Sequence, residues 1–372
     1  MLLRTFGGSL VVAVVGLVLG YLYGGGTGLA VAAILAVLEV SLSFDNAVVN
    51  ATILVKLSAF WQKIFLTVGV AIAVFGMRLI FPLLIVGVTA KLNPVEAVRL
   101  ALEKGDPKKH GTYGYLLHQA HPAIAAFGGV FLLLIFFEFI LEEREITWLT
   151  WLERPLAKIG KLDQLAVVLS LILLTISAYT LAPANKVSTV LVSGVLGMAT
   201  FLVVNGLGEF FDTEGESEDA LAAESTTKVA GSGRAVVGAV GKAAFFLFLY
   251  LEVLDASFSF DGVVGAFAIT SDPIIIAIGL GIGAMFIRSL TVFLVRKGTL
   301  AEYVYLEHGA LWAIGALAVL LLCTIKWEVP EVVTGLIGVG FIAAAFVSSV
   351  VRNRRNVVVE ERDERDREPA AV

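Results

Sequence analysis

The sequence predicts an all-α polytopic membrane protein of about ten transmembrane helices arranged as two inverted five-helix repeats. Composition predicts the class: 58% of the 372 residues are hydrophobic, 16% are charged and mean hydropathy is +0.91. A soluble domain carries about 25% charged residues. The lengths of the apolar runs predict the span count, because a bilayer core takes about 20 helical residues to cross. A polar motif that occurs twice predicts the repeat.

The apolar runs lie at residues 7–24, 28–55, 64–88, 121–141 and 163–183, then at 187–208, 237–270, 273–296, 308–326 and 330–350. The first, "SLVVAVVGLVLGYLYG", follows Arg4 as a signal peptide would, but it lacks a small-residue cleavage pattern and reads as a retained helix. The runs at 28–55 and 237–270 are too long for one straight crossing, and each is expected to break near its middle. Five spans per unit divide the chain into a first repeat, 1–183, a second repeat, 184–351, and a charged tail, 352–372. The acidic stretch 209–235 inside the second repeat reads as a solvated loop. With both termini on one side, that side collects 18 Lys and Arg against 7 opposite, which predicts cytoplasmic termini even though the loop 91–109 runs against the bias. The net charge of −5 is confined to loops and tail, so no nucleic-acid partner is expected. Cys323, alone in the chain, can form no internal disulfide.

The motif "EVSLSFDNAVVNATI" (39–53) returns 216 residues later as "DASFSFDGVVGAFAI" (255–269), with six of 15 positions identical. Glu39 and Asp255 also match in charge. Further pairs fall into line: "FGMRLIFPLLIV" with "MFIRSLTVFLVR" matches Arg78 to Arg288, and "HPAIAAFGG" with "HGALWAIGA" matches His121 to His308. An odd number of spans per unit inserts the second unit upside down, the architecture of many secondary transporters.

On a helix, Glu39, Ser43, Asn46 and Asn50 form one polar stripe, and Ser41 with Asp45 a neighbouring one. Lipid cannot face either, so these groups must meet a cavity, a cation or an arginine. A purely structural alternative pairs Asp45 and Asp261 with Arg78 and Arg288 to lock the bundle. Duplication of the whole cluster, with its serines and second carboxylates, favours an ion or proton site. Its ligands are Glu39, Ser43, Asp45, Asn46, Asp255, Ser259 and Asp261, with Arg78 and Arg288 as charge partners. All are hard oxygen donors, which favours Mn²⁺, Ca²⁺ or Mg²⁺ over copper or zinc. Backbone carbonyls freed at Ser41–Phe44 and Ser257–Phe260 are expected to complete the shell. His121 and His308, at the starts of their spans, read as interfacial residues or as a proton relay. Glu138 and Glu142 are placed near the interface, with Trp148, Trp151 and Trp327 as interface anchors.

An acidic residue followed by "LSFDN" in a long span resembles the TerC-type membrane proteins. More closely, "EVSLSFDNAVVNATIL", "FWQKIFLTVGVAIAVFGMRLIFP" and "HPAIAAFGG" are similar to a bacterial domain family placed beside TerC, over most of residues 1–350. The resemblance implies a superfamily of cation and amino-acid exporters whose TerC relatives are tied to tellurium resistance and manganese efflux. By position it carries the family motif onto Glu39, Ser43, Asp45 and Asn46, and its second copy onto Asp255, Ser259 and Asp261. Gly262 stands where Asn46 stands in the first copy, so the half-sites cannot contribute equal ligands.

The expected function is export of a hard divalent cation across the cell membrane, Mn²⁺ first and Ca²⁺ second, in exchange for protons. The partners are the bilayer, the cation as substrate and protons, with no tightly bound cofactor. An intramembrane aspartyl protease would also place two aspartates on two helices. That class needs Gly-x-Gly-Asp at the second aspartate, whereas this chain has "SFSFDG", so no enzyme is expected. A TerC-type membrane scaffold that recruits stress-response partners without transport is the remaining alternative, with loops 91–118 and 142–161 as its docking segments.

Overall fold

In lipid there is no water to satisfy backbone amides, so long apolar runs must close their own hydrogen bonds. A computed structural model of the chain describes residues 2–103, 105, 108–144, 146–162, 164–224, 241–270, 272–297 and 302–367. Among the described residues every regular element is a helix: α1 (Leu2–Leu42), α2 (Phe44–Leu54), α3 (Ala59–Ile64), α4 (Phe81–Ala90), α5 (Pro94–Leu102), α6 (Tyr113–Leu141) and α7 (Thr150–Ile159). There follow α8 (Leu165–Thr180), α9 (Val187–Glu224), α10 (Gly241–Ile269), α11 (Pro273–Lys297), α12 (Leu306–Thr324) and α13 (Glu331–Arg367). Seven stretches are long and apolar enough to cross a membrane: Thr5–Val40, Ala59–Leu84, Tyr113–Leu141, Val187–Gly206, Pro273–Val295, Leu306–Thr324 and Val333–Arg355. This is the make-up of a helical membrane protein. Helix α8 is apolar but shorter, and α10, 29 residues long, carries Glu252, Asp255 and Asp261 in an otherwise oily sequence.

Helix α1 doubles back on itself. Gly25 sits at φ 62° and ψ −153°, a conformation open in practice only to glycine. A Cβ added to Gly20 would lie 3.4 Å from the Cβ of Ala32, so the arm before the turn faces the arm after it. Both arms pack on α11 in opposite directions: Ser9 Oγ lies 2.6 Å from Ser289 Oγ and Gly24 lies beside Ile275, whereas Gly28 lies beside Ile275 and Glu39 beside Gly283. Replacing Gly25 by alanine is expected to cost about 1–3 kcal/mol. A thermal midpoint in detergent equal to that of the parent chain would show that the turn tolerates a side chain.

The expected break in the second span is present at Ser43, whose φ of −100° and ψ of 19° separate α1 from α2. The matching break in the seventh span is absent: α10 runs unbroken through Ser257 and Phe260. Ser257 donates its hydroxyl to the carbonyl of Val253 at 3.0 Å, so its polarity is satisfied inside the helix. The third span departs from an α-helix, being wound as π-helix over Phe65–Gly69 and Ile72–Ile80. The acidic stretch also differs from expectation, since α9 continues as helix to Glu224 where a loop was expected from 209. Its five Glu and three Ala between 209 and 224 favour helix. The remainder of that stretch, 225–235, lies outside the described residues. The charged tail likewise continues α13 to Arg367.

The core centres on α6. Its buried Val130–Leu134 segment meets Ala310, Ile314 and Ala318 of α12 and Met198 and Phe201 of α9. Small residues set the close approaches: Gly129 lies against Leu322, Gly315 against Phe136 and Gly309 against Ala345. Outward-facing positions are apolar as well, with Val11, Val14, Val18 and Leu22 of α1 all exposed, a surface suited to lipid. At one end of the bundle, Lys186 Nζ donates to the carbonyl of Gln119 (3.1 Å) and Lys326 Nζ to that of Thr180 (3.4 Å). The opposite end gathers Lys56, Glu142, Arg144 and Glu307.

Candidate functional site

Of the polar residues in the two motif copies, Glu39, Ser43, Asn46 and Asp255 meet between α1, α2, α10 and α11. Glu39 is 6% exposed, Arg78 5%, Glu252 3% and Arg288 1%, so each charge has to be compensated within the protein. Arg78 donates Nη2 to Glu39 Oε1 and Nη1 to the carbonyl of Ala73 at 2.7 Å. That carbonyl is five residues back, within reach because the segment is π-helical. Arg288 holds two carboxylates. Its Nη1 and Nη2 grip Glu252 at 3.0 and 3.1 Å, and Nη2 also reaches Asp255 Oδ2 at 3.2 Å. Nη1 donates besides to the carbonyl of Phe65 at 3.1 Å, and the guanidinium lies 4.2 Å from the centre of the Phe65 ring.

Glycines bring the helices close enough for this. A side chain on Gly283 of α11 would collide with the Cβ and Cγ of Glu39, and one on Gly69 with the Arg288–Glu252 pair. Gly262, the departure from the first motif copy, lies so near that an added Cβ would be 3.2 Å from Glu39 Oε2. The missing amide on α10 therefore makes room for the carboxylate of the other copy. Glu39, Ser43, Asn46 and Arg78 from the first half, with Asp255 and Arg288 from the second, line a single void of about 10 Å³. That is room for one water-sized guest.

The side chains of Asp45, Ser259 and Asp261 lie outside the described residues, although their backbones belong to α2 and α10. Ser43 is half-buried at the helix break and makes no cap hydrogen bond. Among the described residues Arg78 pairs with Glu39, and Arg288 with Glu252 and Asp255; the pairing of Asp45 with Arg78 and of Asp261 with Arg288 that a structural lock implies falls outside the described residues. The two histidines are not brought to the void. His121 is half-buried and stacks on His118 with centroids 6.4 Å apart. His308 is buried with its Nδ1 3.5 Å from Glu153 Oε2. Glu153 itself is engaged by the backbone amides of Trp148 and Leu149 and by Trp312 Nε1 at 3.0, 3.1 and 3.2 Å. Trp151 and Trp327 are exposed, and Trp148 is half-buried. Sequence reasoning missed Glu252. Its repeat mate is Ala36, so a search for matched residues discards it, but a third carboxylate three residues before Asp255 was a signal in plain view.

Among the described residues no three His, Cys, Asp or Glu side chains form a metal-ligand group. The two carboxylates on the void, Glu39 and Asp255, are instead already paired with guanidinium groups, so a cation binding them would have to displace an arginine.

Residues 44–356 match the family described as Protein of unknown function (DUF475). The chain belongs to that family. The matched segment of this DUF475 protein begins at the break after Ser43 and takes in both arginines and the whole second motif copy. No curated protein and no solved structure matches the chain.

Proposed function

We propose that this DUF475 protein is a membrane carrier that exports a hard divalent cation, Mn²⁺ foremost, in exchange for protons. The observation that carries the reading is the convergence of the two motif copies, from distant parts of the chain, on one charged void. A chain that needed only to lock its bundle has no use for a polar cavity at the contact. The oxygen donors there suit a hard cation. The likeness of "EVSLSFDN" to the TerC motif adds manganese to the candidates. In this reading the arginine pairs are the cation-free arrangement, and the incoming ion takes the place of a guanidinium.

The carrier has ten crossings in two inverted units, with both termini in the cytoplasm of a cell-membrane protein. Support comes from the two antiparallel arms of α1, which separate the first two crossings. Lys186 and Lys326 share an end of the bundle, as the basic-residue bias requires.

One observation favours a second reading, the TerC-type scaffold without transport: each described carboxylate of the cluster already has an arginine. Flux decides between them. Purified protein in liposomes, challenged in turn with Mn²⁺, Ca²⁺, Mg²⁺, Fe²⁺ and Zn²⁺, is expected to move Mn²⁺ well above empty vesicles. Background rates for all five cations would end the carrier reading.

A further inference from the structure

Helix α2 touches two cavities. Asn46 lines the central void, while Val49, Thr52, Ile53 and Lys56 line a second cavity of about 700 Å³ at the Lys56 end of the bundle. From Asn46 to Val49, the nearest of these, is about 4.5 Å along the helix at 1.5 Å per residue. Helix α10 spans the same gap, with Tyr250 on the large cavity and Asp255 on the void, about 7.5 Å apart by the same rise. A septum of about one helical turn therefore divides the cavities. Val49 and Leu254 belong to it, buried and apolar.

Asn50 stands at the chamber edge of this septum, beside Val49 in α2 and one turn beyond Asn46 on the same face. It is 0% exposed, and neither Nδ2 nor Oδ1 has a hydrogen-bond partner among the described residues. A buried amide left unsatisfied is destabilising, and a leucine would fill the position without that penalty. The large cavity offers oxygen donors and charges of both signs on its wall, including Thr52, Lys56, Glu138, Gln164 and Tyr250. Glu138 is held by Asn205 Nδ2 at 3.4 Å.

We propose that the 700 Å³ cavity is the access chamber of the central site and that Asn50 is the polar step by which a hydrated divalent cation passes between chamber and void. The inference rests on reading the central cluster as a cation site, but the route itself can be tested without transport. In a Cys323→Ser chain, Asn50→Cys and Ala51→Cys place thiols at two positions that are both 0% exposed, on different faces of α2. A cationic methanethiosulfonate added on the Lys56 side is expected to modify position 50 at least tenfold faster than position 51. Equal rates would overturn the route, whatever the protein carries. In the second arm, Asn50→Leu is expected to raise the thermal midpoint, because an unsatisfied amide is removed, while lowering Mn²⁺ flux at least tenfold. Flux at the parent rate in that variant also overturns the proposal. If position 50 is labelled as expected but the parent chain moves no cation, the route stands and the carrier reading falls.

Discussion

Arg288→Met is expected to destabilise the protein by about 3–5 kcal/mol, the scale of leaving buried charge unpaired. Among the described residues Arg288 is the one cation paired with two carboxylates three residues apart, and its removal leaves Glu252 and Asp255 together in low dielectric. The thermal midpoint and the monodisperse fraction after solubilisation should both fall. Arg78→Met should cost less, because one carboxylate rather than two loses its partner. The cause is separable from lost packing. Adding Glu252→Gln and Asp255→Asn to Arg288→Met should restore most of the lost stability, since a neutral cluster needs no guanidinium. An Arg288→Met chain that melts with the parent, or one not rescued by neutralising its partners, would show that the pairs carry little of the fold.

The elements that were legible in the sequence are those set by burial alone. Apolar runs located α6, α9, α11 and α12 because a lipid-spanning helix leaves a long one-signal pattern. The break at Ser43 was legible because serine, aspartate and asparagine follow one another in an apolar span. The continuity of α10 was not, since the choice between opening a helix and folding a hydroxyl back on Val253 depends on a local hydrogen bond. Nor was the π-winding of 72–80, which positions Arg78 and has no periodic signature in so uniformly apolar a segment.

At the site, repeat matching singled out Arg78, Arg288, Glu39 and Asp255 but did not show that Arg78 holds Glu39 or that Arg288 holds Glu252 with Asp255. Charge type alone cannot tell Asp45 from Glu39, one and a half turns earlier on the same span. What decides is the reach of the arginine, and that depends on glycines whose role appears only with the neighbouring helices in place. Gly283 and Gly262 belong to the second half, yet they shape the pocket of a first-half carboxylate. The asymmetry follows the same logic. Glu252 on one side and Asn46 and Asn50 on the other have no polar mates in the repeat, so the two halves of the void differ in charge as well as in ligands.

That asymmetry gives the exchange its expected sequence. Arg288 is fixed by two carboxylates, a carbonyl and an aromatic ring, whereas Arg78 has one carboxylate and a carbonyl on a π-wound segment. The cation should therefore enter by displacing Arg78 from Glu39 and leave the Arg288 group intact. An exchanger must present cation and proton to the same groups in turn. The groups concerned are Glu39 with Asp45, and Asp255 with Asp261. In proteoliposomes holding a pH-sensitive dye, an imposed Mn²⁺ gradient is expected to drive protons in the opposite sense. Asp45→Asn and Asp261→Asn should each bring Mn²⁺ flux to background without lowering the amount of inserted protein. Glu39→Gln, which frees Arg78, should stop the flux or separate it from proton movement. Parent rates in both aspartate variants would remove those residues from the site. Manganese movement without protons, at every imposed pH gradient, would leave a cation path through the void and end the exchange mechanism.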